Sequence, residues 1–214
     1  MKNINWIASY PKSGNTMVRL FLCAYLFTKT GEIDDLKIAD AIKKFNTESV
    51  FYKYKKNFDL NYFNSKPNEI SKYFIHIQKN LYTLFKENIF FFKTHNALSN
   101  IGMQNFTNEK ITRSVIYIVR DPRSVLLSEM HHYNRASQEE TFKYMENYTR
   151  FSLGVKKEMS MPEIISSWSN NYNSWRDFII KNKIGLIIRY EDLIRDPENY
   201  FGQILSFLGK RNNF

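Results

Sequence analysis

Short apolar runs alternate with longer amphipathic stretches along this chain. Mostly apolar residues occupy positions 4–8, 89–92, 114–119 and 184–188, and each run stops at polar, charged or helix-breaking residues. Runs of this length predict strands that are buried on both faces, as in a parallel sheet. The stretches between the runs predict helices packed on that sheet. We therefore predict an α/β fold: a three-layer sandwich with a central, mostly parallel sheet.

Helices are predicted where capping residues or prolines precede an amphipathic stretch. Asn15 or Thr16 caps the first helix, and Pro122 opens a helix that reaches Tyr133. Pro162 starts a helix whose two tryptophans we place in the core. A further helix is predicted over residues 71–86.

The composition allows one globular domain. The chain has 214 residues, of which 43% are hydrophobic, so we expect a single domain over residues 1–214. With 31 basic and 21 acidic residues, its formal charge of +10 suits an anionic ligand, a nucleic acid or a membrane surface. Charge alone does not choose among these partners.

The single cysteine and the first residues give expectations about the cellular setting. Cys23 has no second cysteine to pair with, so it predicts neither a disulfide within the chain nor a thiolate metal site, and we place it in the core. The first strand begins at once, which leaves no room for a signal sequence, and no apolar run approaches the length of a membrane span. We expect a soluble, cytoplasmic protein.

Residues 10–17, Tyr-Pro-Lys-Ser-Gly-Asn-Thr-Met, join the first strand to the first helix. Such a turn leaves backbone N–H groups unpaired at the positive end of the helix, and Gly14 has no side chain to block an approaching anion. Lys12, Ser13 and Thr16 add donors. This pattern predicts a phosphate-binding loop. It differs from the Walker A loop, because Lys12 precedes Gly14, and this disfavours a kinase or an ATPase.

Polar side chains also follow two of the other predicted strands. Lys93-Thr94-His95 ends one apolar run, and Arg120 ends the next, with Ser128 eight residues later in the following helix. Ligands bind at the carboxyl ends of strands in open α/β sheets, so these groups are candidates for a shared site. The alternatives are a structural histidine and a surface ion pair of Arg120 or Arg123 with Asp121, which would contribute little.

Together these motifs resemble the sulfotransferases that use 3′-phosphoadenosine 5′-phosphosulfate (PAPS). Their phosphosulfate loop is roughly Tyr-Pro-Lys-Ser-Gly-[Thr/Asn]-Thr-Trp, and Met17 replaces the tryptophan here. The resemblance continues through Lys-Thr-His, the arginine and serine pair, Arg-Tyr-Glu-Asp-Leu and a final Phe-Leu-Gly. It implies a P-loop-like nucleotide-binding fold, with Lys12, His95 and Lys93 as catalytic residues. It implies nucleotide contacts from Lys12, Ser13, Gly14, Asn15, Thr16, Met17, Arg120, Ser128 and Tyr190.

The implied function is transfer of a sulfuryl group from PAPS to an acceptor hydroxyl or amine. His95 would take the acceptor's proton with a pKa close to the working pH, Lys12 would stabilise the leaving phosphate, and no metal is required. The acceptor, a small molecule or a glycan, depends on residues 32–88 and 136–161, which carry no recognisable pattern. We interpret residues 138–160 as a mobile lid or an acceptor-side segment.

Two other functions remain open. An inactive nucleotide-binding or scaffold relative would keep the loop but lack a base, and a P-loop kinase would need a Walker-type loop. Basic residues interleaved with aromatics at 51–56 can stack on nucleic acid, but we favour a pocket wall or a half-buried helix. In the resembled family a further segment follows Phe-Leu-Gly and covers the adenosine. This sequence ends at Phe214, so we expect a domain that is short at its C-terminus.

Overall fold

The structure, a computed structural model, describes residues 2–98, 101 and 104–210. Its strands are β1 (Ile4–Ser9), β2 (Lys43–Lys44), β3 (Phe90–Thr94), β4 (Thr112–Val119), β5 (Phe151–Ser152), β6 (Glu163–Ile164) and β7 (Gly185–Arg189). Its α-helices are α1 (Asn15–Phe27), α2 (Glu48–Tyr54), α3 (Leu60–Ser65), α4 (Ser71–Lys79), α5 (Leu81–Phe85), α6 (Pro122–His132), α7 (Gln138–Glu146), α8 (Trp168–Asn182), α9 (Tyr190–Arg195) and α10 (Pro197–Phe207). Short 3₁₀ helices span Leu36–Ala41, Pro67–Ile70 and Lys156–Glu158.

A parallel sheet forms the centre of the molecule. Its strand order is β2-β3-β1-β4-β7, and every neighbouring pair is parallel. β5 and β6 form a separate antiparallel pair. Because parallel strands run in one direction, the carboxyl ends of β1, β3 and β4 lie at the same edge of the sheet.

The two faces of β1 bury different side chains. Ile4, Trp6 and Ala8 pack in a phenylalanine-rich cluster on one face, and Ile7 packs in a second cluster on the other. Alternate residues of a strand face opposite sides, so a strand covered on both sides is apolar throughout. Helices α2 to α5 and α8 contribute to the first cluster, and α1, α9 and α10 contribute to the second. The predicted three-layer α/β sandwich is confirmed.

Two predicted elements differ in detail. The helix expected over residues 71–86 is divided at Asn80 into α4 and α5. The strand at 184–188 was expected to be buried, but β7 is an edge strand, and of its residues only Ile188 is fully buried. An edge strand has one neighbour rather than two, which leaves more of its surface exposed.

The helix expected from Pro162 begins later. Residues of β6 pair with β5 immediately after Pro162, and α8 starts only at Trp168. Ser167 supplies the cap, because its side chain accepts a hydrogen bond from a backbone N–H of the first turn. Trp175 is fully buried as expected, whereas Trp168 is half-buried.

The segments without a clear pattern also have defined structure. Phe51 on α2 is fully buried while the Lys53 ammonium lies 4.0 Å from the Phe85 ring centre, so α2 is half-buried. Residues 138–160 contain α7, β5 and a 3₁₀ helix, and the mobility of this segment stays a prediction. Within the described residues, every helix is too short or too polar to cross a bilayer.

Candidate active site

The loop between β1 and α1 contains two residues with positive φ. Lys12 has a φ of 63° and Gly14 a φ of 94°, and Gly14 rather than a side-chain cap precedes α1. Asn15, expected as a possible cap, is the first helical residue, and its amide donates to the Ile7 carbonyl at 3.1 Å and the Ser9 hydroxyl at 3.2 Å. The N–H groups of a first helical turn lack carbonyl partners within the helix and lie at its positive end. The loop is therefore suited to an anion.

Close packing by Tyr190 requires glycine at position 14. A Cβ atom on Gly14 would lie 2.3 Å from Cδ2 of Tyr190, far inside van der Waals contact. The Tyr190 ring centre also lies 4.8 Å from the Arg120 guanidinium carbon, and Arg120 Nη1 donates to the Lys12 carbonyl oxygen at 3.0 Å. Tyr190 and Arg120 thus hold the phosphate loop from the side of β4 and α9.

The Ser13 hydroxyl is buried in this loop without a partner. Ser13 is 1% exposed, and its Oγ makes no hydrogen bond to any described group. A buried hydroxyl without a partner costs free energy, and an anion oxygen in the loop would supply an acceptor. The loop therefore fits a phosphate or a phosphosulfate group. Met17, in contrast, packs against the second core cluster.

A cavity of about 810 Å³ opens at the carboxyl ends of β1, β3 and β4. Of the residues expected in the site, its walls contain Lys12, Gly14, Asn15, Thr16, Lys93, His95, Arg120 and Ser128. Ser13, Met17 and Tyr190 lie outside the walls. The far side of the cavity is formed by α7, β5 and the segment that follows β5, including Tyr144, Phe151 and Leu153. The structure therefore brings the predicted loop, histidine and arginine to one space.

His95 is held in one ring orientation. Its Nδ1 lies 2.7 Å from the Ser9 carbonyl oxygen, which can only accept, so Nδ1 carries the proton and Nε2 carries the lone pair. The backbone N–H of His95 donates to Glu163 Oε1 at 3.1 Å, and its carbonyl accepts from Asn171 Nδ2 at 2.9 Å. Burial and the Lys93 cation lower the pKa of His95 well below its usual range. The expected pKa near the working pH is wrong, but a neutral imidazole can still accept a proton.

Two lysines and one acid surround His95. Lys44 Nζ lies 2.8 Å from Glu163 Oε2, and Glu163 is fully buried. Burial raises the pKa of Glu163, but Lys44 and Lys93 outweigh burial and lower it below its usual range. Burial lowers the pKa of Lys93 to about 7, even though Glu163 opposes this shift. Glu163 is therefore charged, and Lys93 changes charge near neutral pH.

A second buried ion pair braces the loop from the side of α6. Arg150 Nη2 lies 2.8 Å from Glu129 Oε1, and their side chains are 2% and 0% exposed. Arg150 Nη1 also donates to the Tyr10 hydroxyl at the start of the phosphate loop. Because Glu129 follows Ser128, the pair links the loop to the helix that carries Ser128.

Sequence reasoning missed Lys44, Glu163 and Arg150, and it assigned no role to Asn171. Lys44 comes from a two-residue strand and Glu163 from another, and neither strand has an apolar run to mark it. Asn171 is fully buried on α8, and the available signal was a polar residue on the helix face that carries Trp168 and Trp175.

The chain is similar to known proteins over nearly its whole length. A family model described as the sulfotransferase domain matches residues 3–213. A 3-beta-hydroxysteroid sulfotransferase of Cavia porcellus is 30% identical over 97 residues, which are 45% of this chain and 31% of that protein.

Solved structures of the same fold are also similar. A mouse sulfotransferase complexed with PAP has a TM-score of 0.56 at 17% identity, covering 100% of this chain and 61% of that one. Retinol dehydratase in a complex with retinol and PAP has a TM-score of 0.58 at 18% identity, covering 99% of this chain and 61% of that one. The chain thus spans less than two thirds of the length of each of these relatives. On the match of the family model, this chain belongs to the sulfotransferase domain family.

Proposed function

We propose that this protein transfers a sulfuryl group from PAPS to an acceptor hydroxyl or amine. The observation that carries the proposal is the pairing, in one cavity, of a phosphate loop and a histidine with its Nε2 lone pair free. The unpartnered Ser13 hydroxyl and the Lys12 side chain supply donors for the 5′-phosphosulfate. His95 lines the same cavity and directly follows the neighbouring strand β3.

The nucleotide's 3′-phosphate would be held by Arg120 and Ser128. Both side chains line the cavity, one from the end of β4 and one from α6. A guanidinium matches phosphate oxygens with parallel N–H donors, and a serine hydroxyl adds a third. PAP in the structures of relatives is 3′,5′-adenosine bisphosphate, which carries both of these phosphates.

The reaction needs one proton acceptor and one source of positive charge. His95 Nε2 takes the proton from the acceptor hydroxyl or amine as its oxygen or nitrogen bonds to sulfur. The bond from sulfur to the phosphate oxygen breaks, and negative charge develops on that oxygen. Lys12 and the loop N–H groups stabilise this charge, and Lys93 assists when it is protonated.

One observation and one measurement separate this function from the alternatives. An inactive nucleotide-binding relative would not need a histidine whose Nδ1, backbone N–H and backbone carbonyl are all held by hydrogen bonds. A P-loop kinase would be stabilised by magnesium-ATP, whereas we expect selective thermal stabilisation by 3′,5′-adenosine bisphosphate. A thermal-shift comparison of these two ligands tests the nucleotide preference without knowledge of the acceptor.

The test of the chemistry is the variant His95→Ala. With sulfur-labelled PAPS and a panel of phenols, sugars and amines, turnover should fall about 10²- to 10⁴-fold, as expected for loss of a general base. Bisphosphate affinity should stay nearly unchanged. His76→Ala is the matched control, because His76 is exposed on α4 and should leave both quantities unchanged.

The pattern of loss decides the role of His95. Equal loss of binding and turnover in His95→Ala would make the residue structural. If the wild type transfers a sulfuryl group to none of the acceptors in the panel and also does not bind the bisphosphate, the sulfotransferase proposal is refuted.

A further inference from the structure

Glu163 is a buried acid in the cavity wall that the reaction above does not use. It is 1% exposed, and both of its carboxylate oxygens have partners. Oε1 accepts the backbone N–H of His95 at 3.1 Å, and Oε2 lies 2.8 Å from Lys44 Nζ. One side chain on β6 therefore joins β2 to the end of β3, although neither of these strands is its neighbour in a sheet.

The backbone of His95 is fixed from two sides. Glu163 binds its N–H, and Asn171 Nδ2 donates to its carbonyl at 2.9 Å. Asn171 is itself oriented, because its Oδ1 accepts from the Tyr117 hydroxyl at 2.8 Å. With Nδ1 bound to the Ser9 carbonyl, these contacts determine where Nε2 points. A shift of the His95 backbone would move the lone pair away from the acceptor.

The same carboxylate faces a cluster of positive charge. Lys93 is 9% exposed, and burial is the largest influence that lowers its pKa to about 7. Glu163 opposes this shift, while Lys44 on β2 and Arg19 on α1 add to it. The same groups act on the pKa of His95: Lys93 and Lys44 lower it, and Glu163 raises it.

Two more groups complete the surroundings of Lys44. Glu158 and Tyr133 face it, and both raise its pKa together with Glu163, while burial has the opposite effect. Lys44 is thus a permanent cation whose charge Glu163 balances. Without Glu163, the cations of this wall would repel one another in a buried site.

We propose that Glu163 is the positioning residue of this active site: one carboxylate oxygen holds the general base His95 by its backbone N–H, and the negative charge, paired with Lys44, balances the lysine cations of the same wall. The proposal rests on the proposed function. Glu163 itself transfers no proton. Its two tasks are separable, because one depends on the length of the side chain and the other on its charge.

Two variants separate the tasks. Glu163→Gln keeps an oxygen that can accept the His95 N–H but removes the charge, and Glu163→Asp keeps the charge but shortens the reach. Glu146→Gln is the matched control, because Glu146 is exposed at the end of α7. The first measurement is the pH profile of kcat/KM for PAPS, which reports the groups of the free enzyme.

Loss of the charge should lower the pKa of Lys93, because Glu163 is the group that raises it, and about one unit is a typical shift for a nearby opposite charge. From the starting pKa of about 7, the protonated fraction at pH 7.5 would then fall about eightfold, and kcat/KM should fall with it. The alkaline limb of the profile moves to lower pH. Glu163→Asp should leave that limb in place and lower the plateau, and Glu146→Gln should match the wild type.

The second measurement does not require activity. NMR titration of the His95 ring and of the isotopically labelled Lys93 Nζ should show both pKa values falling in Glu163→Gln and not in Glu146→Gln. Circular dichroism confirms that each variant is folded. If neither titration moves in Glu163→Gln, or if kcat/KM of Glu163→Gln drops equally at every pH, Glu163 is only a packing residue and the proposal is overturned. If both titrations move but His95→Ala retains full turnover, the proposed function fails while the electrostatic role of Glu163 stands.

Discussion

Arg120 is the residue whose loss best tests the nucleotide site. It ends β4, lines the cavity, and donates to the Lys12 carbonyl at 3.0 Å while its guanidinium lies 4.8 Å from the Tyr190 ring centre. Arg120→Ala should therefore do two things. It removes the main group available for a 3′-phosphate, and it loosens one support of the phosphate loop.

The two effects differ in size and in the ligand that detects them. A hydrogen bond to a charged group contributes about 1.5–3 kcal/mol, which corresponds to about 10- to 150-fold in affinity for the 3′,5′-bisphosphate. The bond to the Lys12 carbonyl lies within the protein, so its loss weakens a nucleotide only as far as the loop loosens; we take this as about 1 kcal/mol, or about fivefold, for any nucleotide with a 5′-phosphate. Adenosine 5′-monophosphate should therefore weaken by about fivefold at most.

Calorimetry of both nucleotides in wild type and variant measures the difference. Arg123→Ala is the matched control: Arg123 is three residues away, its side chain is 89% exposed, and it forms an ion pair with Asp121 outside the cavity. We expect this control to change neither affinity measurably. Equal weakening of both nucleotides by Arg120→Ala would mean that Arg120 acts only through the loop. Equal affinity of the wild type for both nucleotides would refute a 3′-phosphate site.

Three further predictions concern the loop and its charges. Lys12→Ala should lower turnover about 10²- to 10³-fold, and wild-type turnover in that variant would contradict its role at the leaving group. Gly14→Ala should abolish bisphosphate binding in calorimetry, because its Cβ would lie 2.3 Å from the Tyr190 ring; unchanged affinity would show that this packing is not needed. Bisphosphate binding at pH 8 should take up close to one proton, because the phosphates raise the pKa of Lys93 from about 7. Binding heats in buffers of different ionisation enthalpy measure this uptake, and uptake that persists in Lys93→Met would assign it to another group.

The sequence by itself determined most of the sheet, the loop and the candidate residues of the site. Strands buried on both faces are apolar throughout, so β1, β3 and β4 were visible without any contact information. The apolar run of β7 was visible too, although β7 is a partly exposed edge strand. The loop was visible because its function depends on a continuous stretch in which Lys12, Ser13 and Gly14 are adjacent. His95 and Arg120 were candidates because the carboxyl ends of parallel strands must meet.

Only the tertiary structure decided how those residues are held. Glu163 and Asn171 lie far from His95 in the chain and contact its backbone, and Lys44 in turn pairs with Glu163, through contacts that no local pattern records. The low pKa of His95 comes first from burial and then from Lys93 of the same motif, and the motif alone could not show the burial. Periodicity and adjacency are properties of short stretches, whereas burial and charge pairing depend on which distant stretches come together.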